Sequence, residues 1–386
     1  MTPSTHPLTA AKFLELSADI AYRLSGRAFD PRTLLSLILE GAVSVPVAED
    51  VLAKAISVVC TGYGDQRRKL GPMAVVHPIR VAAILSRVTR DPTMMDLLGA
   101  ILHDRDEDLT QDLIGDERWT AMSTEMAALT ASLDTSHSWY LGERIALLTC
   151  EDGGNYCAYL TDLMKHSASM PDLIRVKLAD RLDNTLDVGV TQHGIPGSGV
   201  FSAIFNVMFL PGFQGFPVPV SYVPLSTIEG AQILANLFKN AEFLSLLRSG
   251  KVAMTGTTHR LYDALIRAST LITQNLIQDT ITTSLTVPEQ KEAVEEVLAY
   301  CQSGGLTEVR EGGDHQLDGI FLDLYGAKSG RKDRLRQIFA DKQYLARIGM
   351  VFLAVFSSFM SDPAYTIRGV DRNGLHPVGS SQPDPE

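Results

Sequence analysis

Residues 97–108, Leu-Leu-Gly-Ala-Ile-Leu-His-Asp-Arg-Asp-Glu-Asp, constrain this chain more than any other stretch. Leu97, Leu98, Ala100, Ile101 and Leu102 form an apolar run that predicts a helix buried around most of its circumference. The run leads directly into His103, Asp104, Asp106, Glu107 and Asp108. His103 and Glu107 are four residues apart, as are Asp104 and Asp108, so on one continuous helix each pair shares a face. An adjacent His-Asp at the end of a buried helix suits a divalent metal, because imidazole and carboxylate both ligate Zn, Mn or Fe. Taken alone, the same dipeptide is also what an ordinary solvated helix end looks like.

Two further segments favour the metal. His77 is followed by Pro78, and proline is at home in the first turn of a helix, which predicts a helix over 78–88 with His77 at its N-terminus. Downstream, Asp180 sits among Val176, Leu178, Ala179 and Leu182. An unpaired carboxylate in that setting is costly; a metal or an arginine partner would offset the cost. Asn184 follows one helical turn later and faces the same way. Lys177 and Arg181 flank Asp180 and are placed to pair with it or to meet phosphate.

His77-Pro78, His103-Asp104, Glu107-Asp108 and Leu178-Ala179-Asp180-Arg181-Leu182 with Asn184, in this order and spacing, resemble the hydrolase domain of the RelA/SpoT family, a branch of the HD-type metal phosphohydrolases. The resemblance covers roughly residues 51–190. It implies an all-α, HD-domain helical bundle that removes the 3′-pyrophosphate of the alarmone (p)ppGpp, the guanosine tetra- and pentaphosphates of the stringent response, usually with Mn²⁺. Carried over by residue, it implies His77, His103, Asp104 and Asp180 as metal ligands and Glu107 and Asp108 as the catalytic acidic pair. Asn184 would line the substrate pocket, and Arg68 and Lys69, in the basic stretch before His77, would touch phosphate. The chain departs from the family at Tyr63, where a histidine is usual, and at Gly71-Pro72-Met73-Ala74, which replaces a Gly-Glu-Pro-Tyr-like turn. These changes bear on nucleoside recognition and leave the metal set intact.

The rest of the chain is read around that core. The 386 residues carry 45% hydrophobic residues, ample for burial, and a formal net charge of -11. That charge argues against binding nucleic acid through a basic surface. Cys60, Cys150, Cys157 and Cys301 show no metal spacing and fit a reducing cytoplasm. No signal peptide is evident at the N-terminus. Residues 1–50 are expected to be a helical prelude, 191–370 a mostly helical C-terminal region packed on the HD domain, and 371–386 a disordered tail. Proline and glycine recur through 193–225, which excludes one long helix there and predicts an ordered loop lying near the site. The apolar part of a helix expected over 332–360 is too short to span a bilayer. Leu234, Leu237, Phe238, Val351, Phe352 and Val355 make apolar helical faces that need cover, on the bundle or in a homo-oligomer. Asp318 and Asp323 are an acidic pair without supporting motif, so the chain is expected to be a hydrolase without a synthetase domain. Two alternatives stand beside that expectation: hydrolysis of another nucleotide (a nucleoside triphosphate, a cyclic dinucleotide or NADPH), and a non-catalytic alarmone sensor.

Overall fold

The computed structural model describes residues 10–24, 30–40, 49–68, 73–89, 92–150, 155–191, 226–254, 256–311, 315, 317–318 and 330–378. The protein is all-α, with one two-stranded hairpin among the described residues. It divides into two compact units, one of Met1–Asp152, Lys165–Val223 and Met254–Ala264, the other of Gly153–Met164, Pro224–Ala253 and Leu265–Glu386. The loop at 193–225 and Lys69 lie outside the described residues, as do residues 379–386 of the expected tail.

The first unit contains α1 (Ala10–Leu24), α2 (Pro31–Leu39), α3 (Glu49–Tyr63), α4 (Val76–Val88), α5 (Met94–Leu102), α6 (Arg105–Asp108), α7 (Gln111–Ile114), α8 (Asp116–Ala131) and α9 (Thr135–Leu148). After α10 (Tyr156–His166), most of which belongs to the second unit, α11 (Asp172–Thr191) returns to the first. The centre is α4, buried from Val76 through Ser86 and packed against α1, α2, α5 and α11. Local chemistry sets the helix ends. Asp30 caps α2 by accepting from Arg32 N at 2.9 Å, with Pro31 in the first turn. Thr93 and Asp96 form a reciprocal capping box at the start of α5. Ion pairs then tie the helices: the half-buried Arg175 with Asp96 at 2.6 Å joins α11 to α5, and the buried Arg144 with Asp172 joins α9 to α11. Gly62 lets α3 approach its neighbours, since a Cβ there would stand 2.6 Å from Leu109 and 2.8 Å from Met122.

In the second unit, helices Thr227–Ser249, Val287–Gln302, Arg331–Ala340 and Lys342–Ser361 pack on one another, and Asn240 donates to Ser269 Oγ at 2.9 Å in the later turns of Gly256–Ser284. Phe238 meets Phe352 edge-on, ring centroids 4.6 Å apart, so the faces containing these residues are covered within this unit. Lys342–Ser361 is long and apolar enough to cross a membrane by length and composition, but 61% of its apolar window is buried and Arg347 pairs with Glu296, as in a core helix.

Four sequence expectations are corrected. The helix expected over 332–360 is two, because Asp341 ends the first and caps the second by accepting from Tyr344 N at 3.0 Å. Asp134-Thr135-Ser136-His137-Ser138-Trp139, a polar stretch that reads from sequence as a break between helices, is the start of α9, where Asp134 accepts from His137 N. The tail expected from 371 is ordered through 378: β1 (Val370–Asp371) and β2 (Gly374–Leu375) pair antiparallel. Gly369 makes this turn feasible, with φ +86° and a Cβ position only 2.1 Å from the His376 carbonyl oxygen. Finally, 97–108 is not one helix: α5 ends at Leu102 and α6 begins at Arg105.

Candidate metal centre

The break between α5 and α6 shapes the site. Asp104 leaves helical geometry (φ -98°, ψ 6°) and caps α6, its carbonyl accepting from Asp108 N at 2.9 Å. Adjacent side chains on an unbroken helix diverge by about 100°; with the kink, His103 and Asp104 turn to one point. His77 comes from the first turn of α4 and Asp180 from the middle of α11. Pro78 costs nothing there, because a first-turn N–H has no partner within the helix.

The four side chains converge. His77 Nε2 lies 3.1 Å from Asp104 Oδ2 and 3.3 Å from Asp180 Oδ1; His103 Nε2 lies 3.1 Å and 3.6 Å from the same two oxygens. One donor atom from each residue falls within a set spanning no more than 4.8 Å. His103 Nδ1 stands 2.9 Å from the Ala100 carbonyl oxygen. A carbonyl only accepts, so Nδ1 carries a proton and Nε2 is the nitrogen turned to the cluster. That Nε2 is buried and has no hydrogen-bond partner. Two imidazole nitrogens and two carboxylate oxygens around such an atom fit a divalent cation of intermediate softness.

The electrostatics agree. For His77, burial and the Arg68 charge act against protonation, but Asp183, Asp104 and Asp180 outweigh them and raise the pKa to about 9. For His103, burial is again overcome, here by Asp104 and Asp180, and the pKa stands well above the usual value. Burial would raise Asp104 and Asp180; His103 and His77 lower Asp104 instead, and Lys177 with both imidazoles lowers Asp180. Lys177 Nζ sits 3.0 Å from Asp180 Oδ2. The pocket is therefore built for concentrated positive charge on the donor side of these carboxylates.

Glu107 and Asp108 stand on α6 beside the cluster. Glu107 Oε1 accepts from Cys150 N at 2.5 Å, and Asp108 Oδ2 accepts from Tyr63 Oη at 3.0 Å. Partial burial, then the charge of Asp104, raises the pKa of both. Arg68 is not turned freely toward solvent: Nη2 donates to Asn184 Oδ1 at 2.6 Å, and its guanidinium lies 3.4 Å from Asp183 and 3.5 Å from Asp187. Asn184 in turn donates to Asp180 Oδ1 at 2.5 Å.

Sequence reasoning passed over Arg80, Asp183 and Asp187. Arg80 Nε and Nη2 reach Asp183 at 2.8 and 2.9 Å, and Nη1 reaches Asp187 at 2.8 Å. Two signals were available. Asp180, Asp183 and Asp187 recur at helical spacing on α11, and Arg80 stands between Ile79 and Val81 in the buried part of α4, one turn after His77.

Comparison with protein-family models finds no match, and no solved structure matches the chain. A curated protein of Mycobacterium leprae (strain TN), named a probable GTP pyrophosphokinase, is 27% identical over 188 residues, which are 47% of this chain and 22% of that protein. The chain is thus distantly similar to a protein whose name belongs to the RelA/SpoT family, and spans about a fifth of its length.

Proposed function

We propose that the first unit is a metal-dependent phosphohydrolase that cleaves the 3′-pyrophosphate of (p)ppGpp, giving GDP or GTP and pyrophosphate. The convergence of His77, His103, Asp104 and Asp180 carries this reading. The acidic pair beside it and the distant relative direct it to alarmone chemistry. Mn²⁺ is the cation we assign, on the mixed nitrogen and oxygen donor set.

Held by these four residues, such a cation would polarise a phosphoryl oxygen and bring the pKa of a water it binds down toward neutrality. The protein's own groups do the rest. Glu107 and Asp108, with raised pKa values, are suited to take a proton from the attacking water and return it to the leaving group. The Cys150 amide and Tyr63 hydroxyl hold these carboxylates in place. Arg68 is positioned to exchange part of its carboxylate network for phosphate oxygens, which its planar fork suits. Four free cysteines accord with a cytoplasmic protein.

The test is product analysis after incubating the purified protein with ppGpp and Mn²⁺. GDP and pyrophosphate are expected. A panel of ATP, GTP, cyclic dinucleotides and NADPH under the same conditions separates the readings: turnover of one of these with ppGpp untouched would reassign the substrate. Binding of ppGpp without turnover would make the protein a sensor.

A further inference from the structure

His77 and His103 are held by different acceptors. The His103 Nδ1 proton goes to a backbone carbonyl, whereas His77 Nδ1 lies 2.6 Å from Asp183 Oδ2. Asp183 is 0% exposed. Among the described residues its polar contacts are with N–H groups: Arg80 Nη2 donates to Oδ2 at 2.9 Å, Arg68 Nη1 lies 3.4 Å from the same oxygen beside His77, and Arg80 Nε lies 2.8 Å from Oδ1. A carboxylate that accepts from Arg80 on Oδ2 and has the same guanidinium 2.8 Å from Oδ1 is held in place by that charge, and it can only accept. His77 Nδ1 therefore keeps its proton toward Asp183, and Nε2, which faces the Asp104 and Asp180 oxygens, is the nitrogen a cation would take by displacing a proton.

We propose that Asp183 is a positioning residue of the metal centre: it fixes the His77 tautomer and ring orientation that presents Nε2 to the cation, while Arg80 fixes Asp183. This rests on the metal reading above. A charged acceptor behind a ligating imidazole also makes that ligand more basic, and loss of such a partner typically weakens metal binding by about 10–100-fold. Asp183 could otherwise be only the counter-charge of the buried Arg80. The two roles differ in a readout: a counter-charge affects folding stability and leaves the metal alone.

Mn²⁺ affinity by titration calorimetry on the full chain, wild type and Asp183→Asn, separates them. Asparagine keeps the shape, but in either orientation it turns an N–H₂ toward a donor. The expected result is a folded variant, by circular dichroism and thermal melt, with Mn²⁺ affinity lower by about 10–100-fold. A folded variant with unchanged affinity overturns the positioning role and leaves the metal reading standing. Wild-type protein that binds no Mn²⁺ overturns both. Should Asp183→Asn not fold, the wild type decides. With Zn²⁺ bound, long-range ¹H–¹⁵N correlation is expected to show His77 protonated at Nδ1, with the proton shifted far downfield by the carboxylate. A His77 ring coordinated through Nδ1, or lacking that proton, sinks the proposal.

Discussion

At His103 the nitrogen facing the cluster is buried with no hydrogen-bond partner, while the other is engaged by a backbone carbonyl. The ring is oriented for a ligand that accepts its lone pair. The first prediction follows at this scale: His103→Ala or Asp180→Ala loses bound Mn²⁺ and hydrolysis together. Elemental analysis of purified Asp180→Ala checks it, and full metal occupancy there would remove Asp180 from the ligand set. The second concerns Glu107, whose carboxylate accepts from the Cys150 amide and feels Asp104. Glu107→Gln retains bulk and an acceptor but cannot take a proton, so metal is expected to be retained with kcat down by ~10²-fold or more. Near-normal kcat would make Glu107 an ordinary charged helix residue. His103-Asp104 was legible as a metal-binding pair from residue type and spacing, and the family resemblance added His77 and Asp180. Asp183 was not legible, because a buried carboxylate within hydrogen-bond reach of a histidine on another helix leaves no trace in local sequence beyond its own register.

Among elements, the long helices were readable because apolar periodicity, caps and prolines agreed, as at Asp30-Pro31 and Thr93. The α5–α6 break was not, since no proline or glycine marks residues 103–104; tertiary convergence outweighs local helical preference there. The clamp between α4 and α11 is expected to contribute to acid stability. Burial alone would raise the pKa of Asp187, but Arg80 and then Arg68 outweigh it and lower it. A depressed folded-state pKa gives stability that is fully present above the unfolded value, about 3.9, and lost as pH falls through the folded value. Urea denaturation of wild type and Asp187→Asn should therefore show a gap in stability at pH 7 that narrows below about pH 4. A gap that stays constant to the lowest pH would mean Asp187 is not held ionised by Arg80. The α9–α11 tie offers a larger effect. Arg144 and Asp172 are each 3% exposed at the side chain, and removing one partner leaves the other charge buried. Asp172→Asn is expected to cost about 3–5 kcal/mol in chemical denaturation; a loss under about 1 kcal/mol, the scale of an exposed pair, would show that water reaches the pair.

For the whole molecule, the question is whether the second unit adds chemistry. Its apolar faces were legible as needing burial, and Phe238, Phe352 and Phe356 are each buried within it. What sequence could not assign was the partner of those faces, because periodicity shows that a face is buried and not against what. Transfer of a pyrophosphoryl group needs phosphates and metal held by positioned carboxylates and cations. Among the described residues, the one His, Cys, Asp or Glu group able to hold a metal is His77, His103, Asp104 and Asp180, in the first unit. Asp318, one half of the acidic pair considered from sequence, faces Arg310 at 3.8 Å, an ion-pair distance and not a ligand cluster. On the proposed function, the full chain incubated with ATP, GDP and Mg²⁺ is expected to yield no alarmone, and with ppGpp and Mn²⁺ to yield GDP. Formation of ppGpp in the first reaction would place a synthetase in this chain and overturn the assignment of catalysis to the first unit alone.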